Sequence, residues 1–179
     1  AKTKLEAERM CLAEHSSKLS VTALRMATCA GPSPRMRFDT IVNIFCKQAY
    51  FEGKITVFDG RQSRSNVHVK GAAEAYLKVL ERTNFFSPGL LKPDIFNIVR
   101  EHMRARDIAG LVEHIYWMKF GKNLSIEVDA SKVDLRHYKL DGEKFRKYYG
   151  WSPERSIIQA IEDNFQWFAS GHVKNSEDT

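Results

Sequence analysis

The residues able to carry chemistry are spread along this chain, and their spacing excludes several reaction types. Cys11, Cys29 and Cys46 are odd in number and share no C-x-x-C spacing, so they suggest neither a disulfide framework nor a zinc knuckle and read as buried thiols. The six histidines, His15, His68, His102, His114, His137 and His172, include no H-E-x-x-H and no pair three to five residues apart. Helical and finger-type metal sites need that separation, so no metal is expected. His68 lies inside the apolar run NVHV and reads as a core histidine. The ten glycines never approach one another closer than seven residues. Neither G-x-G-x-x-G nor a P-loop is present, and with them goes the usual phosphate cradle. Basic side chains remain. Lys4, in KLEAER, is by composition a solvated helix lysine. Arg64, in RQSRSNVHV, reads from its own segment as a surface arginine.

The positive charge is unevenly placed. Lys and Arg number 28 against 22 Asp and Glu, a net charge of +6, and the excess falls in residues 1–90, with 14 basic against 8 acidic side chains. Such a bias suits nucleic acid, an anionic surface or a phosphorylated ligand. Basic residues here are scattered among acids, and an RNP pattern, paired zinc ligands and a basic helix are missing, so nucleic acid is not an expected partner. With 43% hydrophobic and 28% charged residues in 179, the composition is that of one or two globular domains rather than a disordered chain. No apolar run reaches the roughly 18 residues of a membrane span, and AKTKLEAERM lacks a signal core. A soluble, cytoplasmic protein with no membrane partner is the expectation.

Alternating elements must position these residues. Residues 2–15 predict a helix with Leu5 and Leu12 two turns apart. SVTALRMA (20–27) predicts a strand, broken by Gly31, Pro32 and Pro34. A second helix puts Phe38, Ile41, Val42 and Phe45 on one face and stops at Gly53. ITVF (55–58) and NVHV (66–69) are strand-like pieces around a polar turn. A helix follows with Ala73, Tyr76, Leu77 and Leu80 expected inward. After the loop FFSPGLLKP comes the strand DIFNIV (94–99), then a helix with Ile108, Leu111, Val112 and Ile115 on one face. LSIEV (124–128) predicts a strand and GEKFRKYYG a short helix closing on Gly150. The last helix opens with a capping box, Ser156 and Gln159, ahead of the stripe Ile157, Ile158, Ile161, Phe165, Phe168. No repeat or linker interrupts the order. Helix and strand in rotation predict an α/β fold with a largely parallel sheet, which binds ligand at the carboxyl ends of its strands.

Several linked segments then carry a resemblance. SVTALRMATCAGPSPRMRFDTIVN, GKITVFDGRQSRSNVHVKGAAEAYLKVLE, DIFNIV and DLRHYKLDGEKFRKYYGWSPERSIIQAI stand in the order and at the spacings of the extended short-chain dehydrogenases/reductases. The chain resembles the C-terminal half of these NAD-dependent sugar-nucleotide epimerases and dehydratases. That implies the C-terminal part of a Rossmann-type parallel sheet with a smaller mixed α/β substrate-binding lobe. Residues 1–30 and 66–100 would belong to the dinucleotide-binding domain and 31–65 and 101–179 to the lobe, the N-terminal Rossmann half being absent from the chain.

The resemblance also implies roles. The family motif is Tyr-x-x-x-Lys, and AKTK fits x-x-x-Lys with Lys4 as its lysine; the tyrosine would immediately precede Ala1. That tyrosine exchanges a proton with a sugar hydroxyl while the nicotinamide of NAD or NADP takes or gives hydride. The lysine holds the cofactor ribose and lowers the phenol pKa by its charge. Met26 and Ala27 match the strand end lining the nicotinamide, and Thr28 a position touching the sugar. Asn43 falls near the substrate loop, Phe58 where an aromatic packs on the nucleotide base, and Arg64 on the arginine gripping the pyrophosphate. Asp134, with Arg136, matches a segment contacting nucleotide ribose or phosphate. The implied partners are a nucleotide sugar, the missing N-terminal half, and a second copy bound through the helices at 2–15 and 36–52. The sequence departs from the family at Ala30, for an aromatic, at Arg61 and Ser63, in the polar turn, and at Gly71, for an aspartate. The other implied function is a nucleotide-sugar binding or interaction module of the same fold that performs no hydride chemistry.

Overall fold

The computed structural model describes residues 2–85, 92–129, 131 and 138–173. Most of the loop FFSPGLLKP lies outside them. Strand β1 (Thr22–Met26) ends at Ala27, whose N–H still bonds to the Ile98 carbonyl at 2.9 Å, and β2 (Thr28–Ala30) continues the chain into a different sheet. β3 (Lys54–Phe58) and β4 (Ser63–His68) flank the polar turn but do not pair with each other. β5 (Asp94–Ile98), β6 (Glu101–Arg104) and β7 (Ser125–Asp129) complete the strands. β1 pairs with β5, β2 with β4 and β3 with β7, all in parallel, while β4 and β6 are antiparallel. The expected α/β fold with largely parallel pairing is what the chain adopts.

Helix α1 (Lys2–Ala13) buries none of its side chains. α2 (Ile41–Lys47) begins only after the Arg37–Asp39 turn, so Phe38 enters the core from outside the helix, and a π-helical turn, Gln48–Glu52, carries it to Gly53. α3 (Val69–Phe85), α4 (Ala105–Phe120), α5 (Glu143–Tyr149) and α6 (Ile157–Ala169) follow. The predicted capping box is present: Ser156 Oγ accepts from Gln159 N at 3.4 Å and Gln159 Oε1 from Ser156 N at 2.9 Å. Of the α6 stripe, Ile157, Ile161, Phe165 and Phe168 are buried and Ile158 is not.

Two hydrophobic clusters result. The larger joins α2, α4 and α6 over β3, with Val42, Phe45, Ile108, Val112, Ile161 and Phe165 at its centre. The smaller packs Ala27, Val67, Phe96, Ile98 and Phe145 between β1, β5, α3 and α5, and draws in Tyr149 and Trp151.

α3 corrects the reading of its face. Ala72 and Ala75 point inward, whereas Tyr76, Leu77 and Leu80 are 54%, 56% and 57% exposed. The helix lies too close to its neighbours for large side chains: a Cβ on Gly71 would stand 3.2 Å from Pro153 Cβ and 3.8 Å from Val67 Cγ2. Small residues therefore occupy the inner face, and the family's aspartate has no room at Gly71. In an ordinary helix Gly→Ala stabilises by roughly 0.5–1 kcal/mol. Gly71→Ala is expected to reverse that sign and lose about 1 kcal/mol through overpacking. The gain should return when the same change is made on a Pro153→Gly background, read as urea midpoints of the four chains.

Candidate functional site

With no buried residue of its own, α1 depends on polar contacts for its place on β1. Arg25 Nε and Nη2 donate to Glu8 Oε2 and Oε1 at 2.8 and 2.7 Å, a bidentate pair that fixes geometry as well as charge. These hydrogen bonds hold the Glu8 carboxyl below its ordinary range. Lys4 sits one turn before Glu8, on the same helix face. Both line an open cleft of about 1190 Å³. Thr22 to Met26 of β1 line it too, together with Ala27, Thr28 and Asn43. Five residues singled out from the sequence thus meet in one place.

Asn43 stands apart from the other four because its polar atoms serve the protein itself. Its side chain is 4% exposed; Oδ1 accepts from Gly31 N and from Asn164 Nδ2, both at 3.1 Å, and Nδ2 donates to the Arg37 carbonyl at 3.0 Å. Asn43 therefore braces the segment carrying Arg35 and Arg37 along the cleft. Gly31 is needed at that bend: its φ is +115°, and a Cβ there would lie 3.2 Å from His68 Cε1. Burial pushes the Cys46 thiol up to about 12 and raises Cys29 as well, against the pull of Arg37 on the latter. Neither is an activated nucleophile.

A second group forms around Arg64, outside the cleft lining. Its guanidinium carbon lies 5.6 Å from the centre of the Tyr138 ring, and the Tyr138 hydroxyl is 3.2 Å from Thr28 Oγ1, either group being able to donate. Tyr138 escaped the sequence reading, since nothing in its local spacing marks a contact with a residue 110 positions away. Phe58 is separate again, 41% exposed at the end of β3, where its carbonyl accepts from Gly60 N and Gln62 Nε2. Arg61 pairs with Asp59 at 2.6 Å. Asp134 and Arg136 lie outside the described residues. Among the described residues no three His, Cys, Asp or Glu side chains gather as metal ligands, and no helix is long and apolar enough to cross a membrane.

The fold is shared with solved structures at low identity. RMD from Pseudomonas aeruginosa, complexed with NADPH, superposes with a TM-score of 0.73 at 21% identity, over 93% of this chain and 55% of that one. UDP-glucuronic acid 4-epimerase from Bacillus cereus, in complex with UDP-glucuronic acid and NAD, gives 0.72 at 22%, over 94% and 51%. The dTDP-glucose 4,6-dehydratase from Bacillus anthracis, in complex with NAD, gives 0.70 at 22%, over 92% and 50%. The chain spans about half the length of these structures. A model of the NAD dependent epimerase/dehydratase family matches residues 1–98, and the chain belongs to that family.

Behind the cleft, His68 is fully buried at the end of β4. Its Nδ1 accepts from Lys70 N at 3.1 Å, so the neutral ring carries its proton on Nε2, which faces Asp163 Oδ2 at 3.3 Å. Burial lowers the His68 pKa; Asp163 on α6 opposes the shift, and Arg155 and Lys70 reinforce it. Since the unfolded chain binds this proton more readily, the contribution of His68 to stability is present above about pH 6.5 and lost as pH falls below it. The urea midpoint is expected to drop between pH 7.5 and 5.5, and His68→Gln to make that drop shallower. An equal slope in the variant would place the dependence elsewhere.

Proposed function

We propose that the chain forms the lysine side of the nicotinamide site and the nucleotide-sugar lobe of an NAD(P)-dependent sugar-nucleotide epimerase or dehydratase. The observation carrying this reading is the convergence of Lys4, Met26, Ala27 and Thr28 on one open cleft. Family membership and the company of NAD- and UDP-sugar-bound structures support it. On this reading 1–30 and 66–100 belong to the dinucleotide side and 31–65 and 101–179 to the lobe. The rest of the sheet, the phosphate cradle and the tyrosine come from the half of the family's length that this sequence does not span.

The residues present fit the nicotinamide end of the cofactor and no more of it: a lysine and a strand end face one cleft, and no glycine-rich turn accompanies them. When bound, NAD(P) would supply reversible hydride chemistry at a sugar carbon. Lys4 holds the cofactor ribose and lowers the pKa of the neighbouring phenol by its charge. Met26 and Ala27 wall the nicotinamide. Thr28 bonds a sugar hydroxyl, and Asn43 positions the loop over it. Arg64 grips the diphosphate, Phe58 packs on the base and Asp134 meets the ribose. α1 and residues 36–52 form the face for a second copy.

The 179-residue chain alone is expected to show no epimerase turnover, and measurable turnover would overturn the division of labour. Joined to a matching N-terminal half, Lys4→Ala should lower kcat strongly and leave the melting temperature nearly unchanged, because an exposed helix position tolerates alanine. Arg64→Ala should weaken binding of a nucleoside diphosphate by about 1.5–3 kcal/mol and leave the nucleoside unaffected, as loss of charge-assisted hydrogen bonds requires. Calorimetric titration separates the two.

A further inference from the structure

Helix α1 is held like a lever, hinged at one end and latched along its length. Its C-terminal end runs into the turn 14–21, where His15 Nδ1 accepts from Val21 N at 3.4 Å and Ser16 and Leu19 bond through their main chains. Along the helix itself Glu8 and Leu12 are half-buried, and every other side chain from Lys2 to Ala13 is exposed. Strand β1 explains why. Alternation sends Leu24 and Met26 to the smaller cluster, which leaves a methyl group, Ala23, and a guanidinium, Arg25, on the side facing the helix. With no large apolar side chain to pack on, the helix meets the strand through the Glu8–Arg25 pair, where the Glu8 side chain is only 14% exposed. Among the described residues no other side-chain hydrogen bond or ion pair joins α1 to the rest of the chain.

We propose that Glu8 and Arg25 are positioning residues: their pair latches α1 on β1 and so sets the distance between Lys4 and the strand end at Met26 and Ala27. The inference rests on the cofactor role given to Lys4 above. Lys4 stands one turn beyond the latch, towards the helix N-terminus, and about 12 Å along the axis from Leu12 at about 1.5 Å per residue. A tilt of about 10° about the hinged end would carry it by about 2 Å, and a misplacement of about 1 Å already costs up to about a hundredfold where geometry governs the rate. Arg25 directly precedes Met26, so one contact fixes both the helix bearing the lysine and the strand end that shares its cleft. A bidentate pair suits that use, because two parallel hydrogen bonds fix direction as well as distance. Neither residue needs to touch cofactor or sugar. Both act through Lys4.

The first test uses the full 179-residue chain and hydrogen–deuterium exchange read peptide by peptide. Glu8→Gln and Arg25→Gln should each speed exchange across 2–13 about fivefold, the upper range for a lost ion pair at a surface, and leave β5 and α6 unchanged. The double variant should exceed neither single change, because the two side chains make one contact. Glu6→Gln removes an equal charge from a side chain paired with Arg9 inside the helix and should change nothing. The unaltered chain offers the same measurement without a substitution: raising salt from about 0.05 to about 1 M should speed exchange in 2–13 and nowhere in β5 or α6. The second test joins the chain to a matching N-terminal half, where Glu8→Gln should lower kcat about tenfold, change KM by less than about twofold, and add nothing on a Lys4→Ala background. Unchanged exchange in both single variants would overturn the latch. If Lys4→Ala lowers kcat but Glu8→Gln does not, or if the Glu8→Gln loss persists without Lys4, the positioning role alone fails. If the joined protein turns over no nucleotide sugar, or Lys4→Ala leaves kcat unchanged, the lysine reading itself fails and takes the inference with it.

Discussion

Strand β4 is hydrogen-bonded along both edges, to β2 in parallel and to β6 antiparallel, and four successive residues of it, Ser65 to His68, are buried. Alternation along a strand sends Val67 into the smaller cluster with Phe96 and Ala75, and His68 the other way, towards Asp163 of α6. A single strand thus separates the two cores and fastens them together. A slip of one residue would exchange the faces, burying Asn66 and His68 against β5 and pulling Val67 out of its cluster. Three of the four buried side chains are polar, so the register is also enforced by pairing. Asn66 Nδ2 donates to the Arg64 carbonyl at 2.9 Å, the Asn66 carbonyl accepts from Arg100 N at 2.9 Å, and Ser65 serves the 138–140 segment.

Site geometry follows from that register. β2 lies against β4 with Thr28 opposite Asn66, which places Thr28 two residues along from Arg64 on the adjacent strand. Gly31, just past the end of β2, closes on His68, and its N–H is taken by Asn43 from α2. The Thr28 end of the cleft, Arg64 and the loop bearing Arg35 and Arg37 are therefore set by one sheet and one buried amide. α1 is the exception. It brings Lys4 to the cleft through the Glu8–Arg25 pair, so its position rests on a charge-assisted contact at the surface rather than on packing.

What the sequence made legible were the features whose cause is local. The α6 cap, the α4 stripe, the stops at Gly53 and Gly150 and the strand DIFNIV depend on residues within a turn or two of one another. β6 was hidden because EHMR has no period-two apolar pattern; it is a strand through its pairing with β4, 35 or more residues away. β2 was hidden because only three residues separate the sheet change at Ala27 from Gly31. Site residues divide in the same way. Lys4, Thr28 and Arg64 were singled out through a family pattern, whereas Glu8 with Arg25, at 17 residues, and Tyr138 with Thr28, at 110, join only when the chain folds.

The misread face of α3 shows why a hydrophobic stripe does not identify its own partner. Ala73, Tyr76, Leu77 and Leu80 form a regular stripe, and periodicity assigns such a stripe to the core. The other face, Gly71, Ala72 and Ala75, is small instead of polar, and small residues are what a helix needs to approach a strand and a proline closely. Both faces are thus apolar, one small and buried, the other large and exposed. In the described chain only the inner layer is present, supplied by Val67, Phe96 and Phe145. Tyr76, on the outer face, lines the same cleft as Lys4 and Met26. The cleft and the exposed stripe therefore meet at Tyr76.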